Sequence, residues 1–233
     1  GKAAGRGRTL LVGIDGCGGA GKLSLAKRIG STLEGVTVLA GDDFWLPVDR
    51  RPERAKVIAD PGSDYDWERL RDQVVLPLSK DEPGRYQRYD WGSDSLMEWH
   101  DVPSFGTVIV EGVFCTRQEL APLYDVRVWV ETPRAICLER GYARDGAAGR
   151  ALWDEEWMPA YENYVKQSDP AGRADYKVKG SGGSGEALFI AEMAALSGVR
   201  CIPHCWGGAI SIAASVQLLS LLPDPHWGLP TDT

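Results

Sequence analysis

The residues with the clearest capacity for chemistry are Gly16-Cys17-Gly18-Gly19-Ala20-Gly21-Lys22-Leu23-Ser24. They follow the apolar run Thr9-Leu10-Leu11-Val12-Gly13-Ile14 and precede a helix-like run from Leu25 to Thr32. Strand, glycine-rich loop and helix, with lysine closing the loop, is the context in which a P-loop cradles phosphate. Glycines allow successive backbone N–H groups to turn inward on an anion, and the helix start adds partial positive charge. Gly16, Gly18, Gly19, Ala20 and Gly21 are therefore expected to wrap a nucleotide's phosphates, with Lys22, Leu23 and Ser24 completing the cradle. Lys22 would reach the outer phosphates and support transfer of one of them.

One position breaks the pattern. The residue after the lysine is normally Ser or Thr, whose hydroxyl ligates Mg²⁺, and here it is Leu23. Ser24 is one residue on, about 100° further round the helix, and is not expected to point at the same spot. Leu23 thus leaves the phosphate cradle intact while removing a metal ligand.

Further acidic and aromatic residues fall where a second substrate would sit. Asp42 and Asp43 follow the apolar run Val36-Thr37-Val38-Leu39-Ala40, so a carboxylate there could accept a proton from an attacking hydroxyl. The competing reading is that one of the pair caps a turn. Glu111 ends the run Thr107-Val108-Ile109-Val110, a position suited to a carboxylate near Mg²⁺ or its water. Phe44, Trp45, Tyr86, Tyr89 and Trp91 flank these acids and could sandwich a planar ligand. Arg140, Arg144 and Arg150 could close as a lid over a transferring phosphoryl group.

The elements that must position these groups follow from periodicity. Val36–Ala40, Thr107–Val110, Val126–Val130 and Ala174–Val178 read as buried strands, alternating with helical runs at Trp67–Leu78, Ile136–Arg144 and Trp153–Lys166. Arg85 to His100 shows no clear period and reads as a binding loop, and 144–150 reads as a glycine- and arginine-bearing loop after the preceding helix. The expected class is α/β: a three-layer P-loop fold with a parallel sheet flanked by helices and its ligand at the strands' carboxyl ends. Gly180-Ser181-Gly182-Gly183-Ser184-Gly185 reads as a flexible linker of designed regularity. Beyond it, 186–233 reads as helix, strand and apolar helix, an appended α-β-α fragment without a complete core, expected to dock on residues 1–179 or to mediate self-association. Cys201, His204 and Cys205 lack a nearby fourth ligand, so incidental thiols are expected there rather than zinc.

The chain has 233 residues, 43% hydrophobic and 25% charged, with a net charge of −7. That balance opposes a general nucleic-acid or membrane-surface binder. Five cysteines without framework spacing, and a basic N-terminus without an apolar leader core, suggest a cytoplasmic protein.

Residues Leu10 to about Val178 resemble the uridine kinase-like members of the P-loop nucleoside and nucleoside-monophosphate kinases. The motifs that carry this are Gly13 to Lys22, Gly41-Asp42-Asp43-Phe44-Trp45, Tyr86 to Trp91 and Val108 to Val113. The resemblance implies ATP- and Mg²⁺-dependent phosphorylation of a nucleoside 5′-hydroxyl. It implies Asp42 as base and Trp45 and Tyr89 as base- or ribose-contacting aromatics, with Trp91 beside them and Arg140 and Arg144 in the lid. Leu196 to Gly208 resembles the last part of a mandelate-racemase-type enolase-superfamily barrel, with His204 at a strand end but without that family's metal carboxylates or lysine bases. The competing readings are an engineered or recombined chimera that binds nucleotide or only folds, without catalysis, and a small-metabolite kinase on the same scaffold.

Overall fold

A computed structural model describes residues 8–180. The readings made for 186–233, including its docking, lie outside the described residues.

Strand β1, Thr9–Gly16, is almost wholly buried and ends in the glycine loop. Helix α1, Lys22–Thr32, follows, and β2, Val36–Ala40, runs into a single 3₁₀ turn at Gly41–Phe44. A short helix α2, Arg54–Ala59, precedes a helical stretch made of α3, Trp67–Leu70, a π turn at Arg71–Val75, and α4, Leu76–Ser79. Strands β3, Gly84–Asp90, and β4, Ser95–Val102, form an antiparallel hairpin apart from the main sheet. Then come β5, Gly106–Glu111, and β6, Val126–Glu131. Helix α5, Arg134–Leu152, passes through a π turn at Trp153–Trp157 into α6, Met158–Ser168. The short α7, Pro170–Arg173, leads to β7, Tyr176–Lys179.

The main sheet has the order β2-β5-β1-β6-β7 and every pairing in it is parallel. Its strands alternate their side chains between two cores, as the two-residue repeat of a pleated strand requires. Val12 and Ile14 join Ile109, Val126, Val128 and Val130 on one face, under the α1 residues Leu25, Ala26 and Ile29. Leu11, Leu39, Val108, Val110 and Trp129 pack on the other, with Leu70, Val74 and Leu78. Truncating a side chain as enclosed as Ile29 costs about 2–5 kcal/mol. The result is the three-layer α/β arrangement expected from the strand–helix alternation. The chain leaves β1 toward β2 on one side and β6 pairs on the other, so a crevice opens at the carboxyl end of β1.

Two expectations are corrected. Residues 85–100 are mostly the β3–β4 hairpin rather than an irregular loop. A register shift between Gln87 and Tyr89 breaks the alternation that would have marked a strand. Residues 144–150 lie within α5, which is broken at Gly146 (φ 67°, ψ −165°) instead of opening into a loop.

Candidate active site

The glycine loop is shaped by close contacts that only hydrogen at Cα permits. Gly19 adopts φ 74°, and a Cβ there would fall 2.5 Å from the carbonyl oxygen of Cys137. A Cβ on Gly18 would meet the Trp153 ring at 2.6 Å. Gly21 caps α1 in a left-handed conformation, with no side-chain hydrogen bond to the helix start and no acid in its first turn. The first N–H groups of this 11-residue helix are thus left for an anion. Lys22 is 7% exposed, and its Nζ donates to the carbonyl oxygens of Gly16 at 3.0 Å and Cys17 at 2.8 Å. Those bonds hold the ammonium inside the loop's curve, where a phosphate would meet it.

A cavity of about 620 Å³ opens on this loop. Gly18, Gly19, Gly21, Lys22, Leu23 and Ser24 line its floor, whereas Gly16 and Ala20 lie behind the lining. Leu23 is 45% exposed and faces the cavity with carbon only.

Asp42 and Glu111 line the same cavity. The ends of β2 and β5 meet here through glycine: a Cβ on Gly41 would lie 3.1 Å from Gly112 Cα, and one on Gly112 would lie 3.0 Å from Gly41 Cα. Glu111 is 8% exposed, and burial pushes its carboxyl up to about 7, opposed by Lys22 and reinforced by Asp42. Of the acidic pair, Asp43 is structural. It accepts from the Tyr86 hydroxyl at 2.8 Å, its carbonyl oxygen accepts from Arg69, and burial raises its carboxyl. Asp42 is exposed to the cavity, touched by the Trp45 Nε1 donor at 3.4 Å.

The aromatic residues divide. Trp45 and Trp91 line the cavity, and Tyr89 does not. The Arg51 guanidinium lies over all three rings, 5.8 Å from Trp45, 5.5 Å from Tyr89 and 5.0 Å from Trp91. Tyr89 is buried, its hydroxyl accepting from Arg51 at 2.8 Å and donating to Asp94 at 2.7 Å. The faces read as a sandwich for a ligand are therefore partly taken by a cation of the chain itself.

Of the lid arginines, Arg140 and Arg144 line the cavity. Arg140 Nη1 donates to the carbonyl oxygens of Gly19 at 3.1 Å and Gly180 at 3.3 Å. Arg144 is paired with Asp145, which with Asp42 favours its charged form. Arg150 instead stacks over Tyr142, 4.5 Å from the ring centroid.

Two further functional candidates are Asp64, outside the motifs, and Asp15, inside the Gly13 to Lys22 motif. Asp64 is 4% exposed, lines the cavity, and has an Oδ1 without a hydrogen-bond partner; burial raises its carboxyl to about 6. A bridge between Trp45 and Tyr65 sets it beside the 3₁₀ turn. Its signal in the sequence was the acidic–aromatic alternation Asp64-Tyr65-Asp66-Trp67 at the end of a loop. Asp15 is completely buried at the end of β1. A carboxylate ending an apolar run had to find partners, and this went unread.

The donor set fits a nucleotide's phosphates: loop amides, the α1 start, and the Lys22 ammonium. Among the described residues no group of three or more His, Cys, Asp or Glu could by itself hold a metal ion. Magnesium commonly takes only one or two carboxylates, with phosphates and water supplying the rest. Glu111 at the cavity meets that reduced requirement, and Leu23 withholds the hydroxyl. No helix among the described residues is long and apolar enough to cross a membrane.

Comparison with known proteins bears on the fold. The chain is 24% identical over 173 residues to the uridine kinase of Ureaplasma parvum serovar 3, covering 68% of this chain and 83% of that one. A solved structure described as a possible uridine kinase from Bacillus stearothermophilus superposes with a TM-score of 0.59 at 23% identity, over 74% of this chain and 89% of that one. Residues 171–232 match the family described as enolase C-terminal domain-like. D-galactarolactone cycloisomerase of Agrobacterium fabrum is 47% identical over 104 residues, 42% of this chain and 27% of that enzyme. The family match begins inside α7. The chain is thus similar to uridine kinases, with a P-loop kinase fold, over most of its length, and similar to the enolase C-terminal domain over residues 171–232.

Proposed function

We propose that the protein transfers the terminal phosphoryl group of ATP to a hydroxyl of a nucleoside-like acceptor. The observation that carries this reading is the convergence of Lys22, Asp42 and Asp64 on one cavity. Loop amides and Lys22 hold the phosphates, with Gly16 and Ala20 supporting the cradle from behind. Asp42 accepts the proton of the attacking hydroxyl, consistent with its open position on the rim. Asp64 has an unpartnered oxygen suited to a sugar hydroxyl, and Trp45 and Trp91 suit a flat base beside it. Tyr89 contributes indirectly, by orienting Arg51. Arg140 and Arg144 neutralise charge on the group in transit. A magnesium ion brought by the nucleotide would be held by Glu111, with phosphates and water as its other ligands, and would offset phosphate charge. In this reading residues 1–179 are the kinase unit, 180–185 a linker and 186–233 an appended fragment.

ADP release measured over a panel of nucleosides tests the proposal. Turnover with one class of nucleoside supports it, and no turnover by the protein or its Leu23→Ser variant overturns it. Leu23 favours a second reading, nucleotide binding without catalysis. ATP affinity that ignores Mg²⁺, together with no turnover, is its signature.

A further inference from the structure

Asp15 makes four hydrogen bonds from a site with no solvent exposure. Its carboxylate accepts from the Gly16 N–H at 2.6 Å, the Thr116 N–H at 3.0 Å, the Thr116 hydroxyl at 2.9 Å and the Tyr164 hydroxyl at 2.8 Å. These donors belong to three separate parts of the site. Gly16 opens the phosphate loop, Thr116 follows the Glu111 end of β5, and Tyr164 lies on α6, which continues from the helix bearing Arg140 and Arg144. A carboxylate placed only for strand stability has no need to gather donors from all three.

We infer that Asp15 is a positioning residue that couples the phosphate loop to the lid-bearing helices through Tyr164, so that both reach their nucleotide-binding arrangement together. The inference rests on the kinase reading above. Arg140 supplies the second tie between the same parts, through the Gly19 carbonyl oxygen. With the loop amide fixed at Gly16 and the lid helix fixed at Tyr164, phosphate contacts from both sides are set before the ligand arrives. Such preorganisation appears as affinity for the nucleotide and leaves the acceptor's own contacts untouched.

The test measures ATP affinity by calorimetry, and acceptor KM and kcat by ADP release, in the parent chain, Asp15→Asn, Tyr164→Phe and the double variant. Asp15→Asn turns an amide N–H₂ toward the Thr116 N–H, donor against donor. Tyr164→Phe removes one charge-assisted bond and keeps the ring. The expected result for Tyr164→Phe is ATP binding about three- to tenfold weaker with acceptor KM unchanged. The double variant should be no weaker than Asp15→Asn alone. If Asp15→Asn does not fold, Thr116→Val, which keeps the backbone donor, takes its place in the cycle. A Tyr164→Phe protein that binds ATP as the parent does, or that loses ATP and acceptor affinity equally, overturns the inference alone. A parent protein that binds no ATP overturns the kinase reading and the inference with it.

Discussion

Asp15 and Lys22 grip the same glycine from opposite sides. The Asp15 carboxylate accepts from the Gly16 N–H at 2.6 Å, and the Lys22 ammonium donates to the Gly16 carbonyl oxygen at 3.0 Å. The two successive peptides that meet at Gly16 are thereby each fixed by a side chain, the first by Asp15 and the second by Lys22. Lys22 braces the loop and, in the proposed function, is also the cation that meets phosphate.

Lys22→Ala therefore removes two functions. ATP affinity should fall by about a hundredfold, in line with loss of a charged hydrogen-bonding partner. The melting temperature should also drop, since the Gly16 and Cys17 carbonyl oxygens lose their donor. Calorimetry with thermal melts separates the two effects.

Leu23→Ser restores an oxygen beside the phosphate loop. Because Leu23 is 45% exposed, the exchange leaves the core unchanged. Without metal, ATP affinity should stay within about twofold of the parent; with Mg²⁺, turnover should rise by about tenfold or more. ADP release measured across a Mg²⁺ titration reads both.

Glu111 makes stability depend on pH. Burial first, then Asp42, lifts its carboxyl to about 7 from the ordinary 4.5, against the pull of Lys22. Between those values the folded chain keeps a proton that the unfolded chain releases. Stability therefore falls as pH rises across that window and stays lower above it. Glu111→Gln removes the penalty. The variant should match the parent near pH 4 and be more stable by about 1–3 kcal/mol near pH 8. Denaturant midpoints at both pH values decide it.

Asp64→Asn keeps the shape of the cavity wall and removes its charge. With burial already raising the carboxyl to about 6, the exchange should leave the fold as stable or slightly more so at neutral pH. Acceptor KM should rise by about tenfold or more while ATP affinity holds, because an acceptor hydroxyl loses an ionised partner. Initial rates over both substrates distinguish this from a general loss of folding.

The parts of the molecule legible in the sequence were those built locally. β1, its glycine loop and α1 are contiguous, so their glycines, apolar runs and lysine announced them together, and the parallel sheet followed from strand–helix alternation. What escaped was set by contacts between distant segments. The β3–β4 pairing is masked by its bulge. Arg51 enters the aromatic group of Trp45, Tyr89 and Trp91 from a loop with no motif. Asp15 meets Tyr164 across 149 positions of sequence. Leu23 could be read as unusual from its neighbours alone, whereas the vacant oxygen of Asp64 needed the enclosing walls.

Because Gly41 and Gly112 touch backbone to backbone, the gap between the Asp42 and Glu111 rims is set by two main chains. A methyl at either position would wedge the carboxyl ends of β2 and β5 apart and widen that gap. These two glycines work as a ruler for the mouth of the cavity.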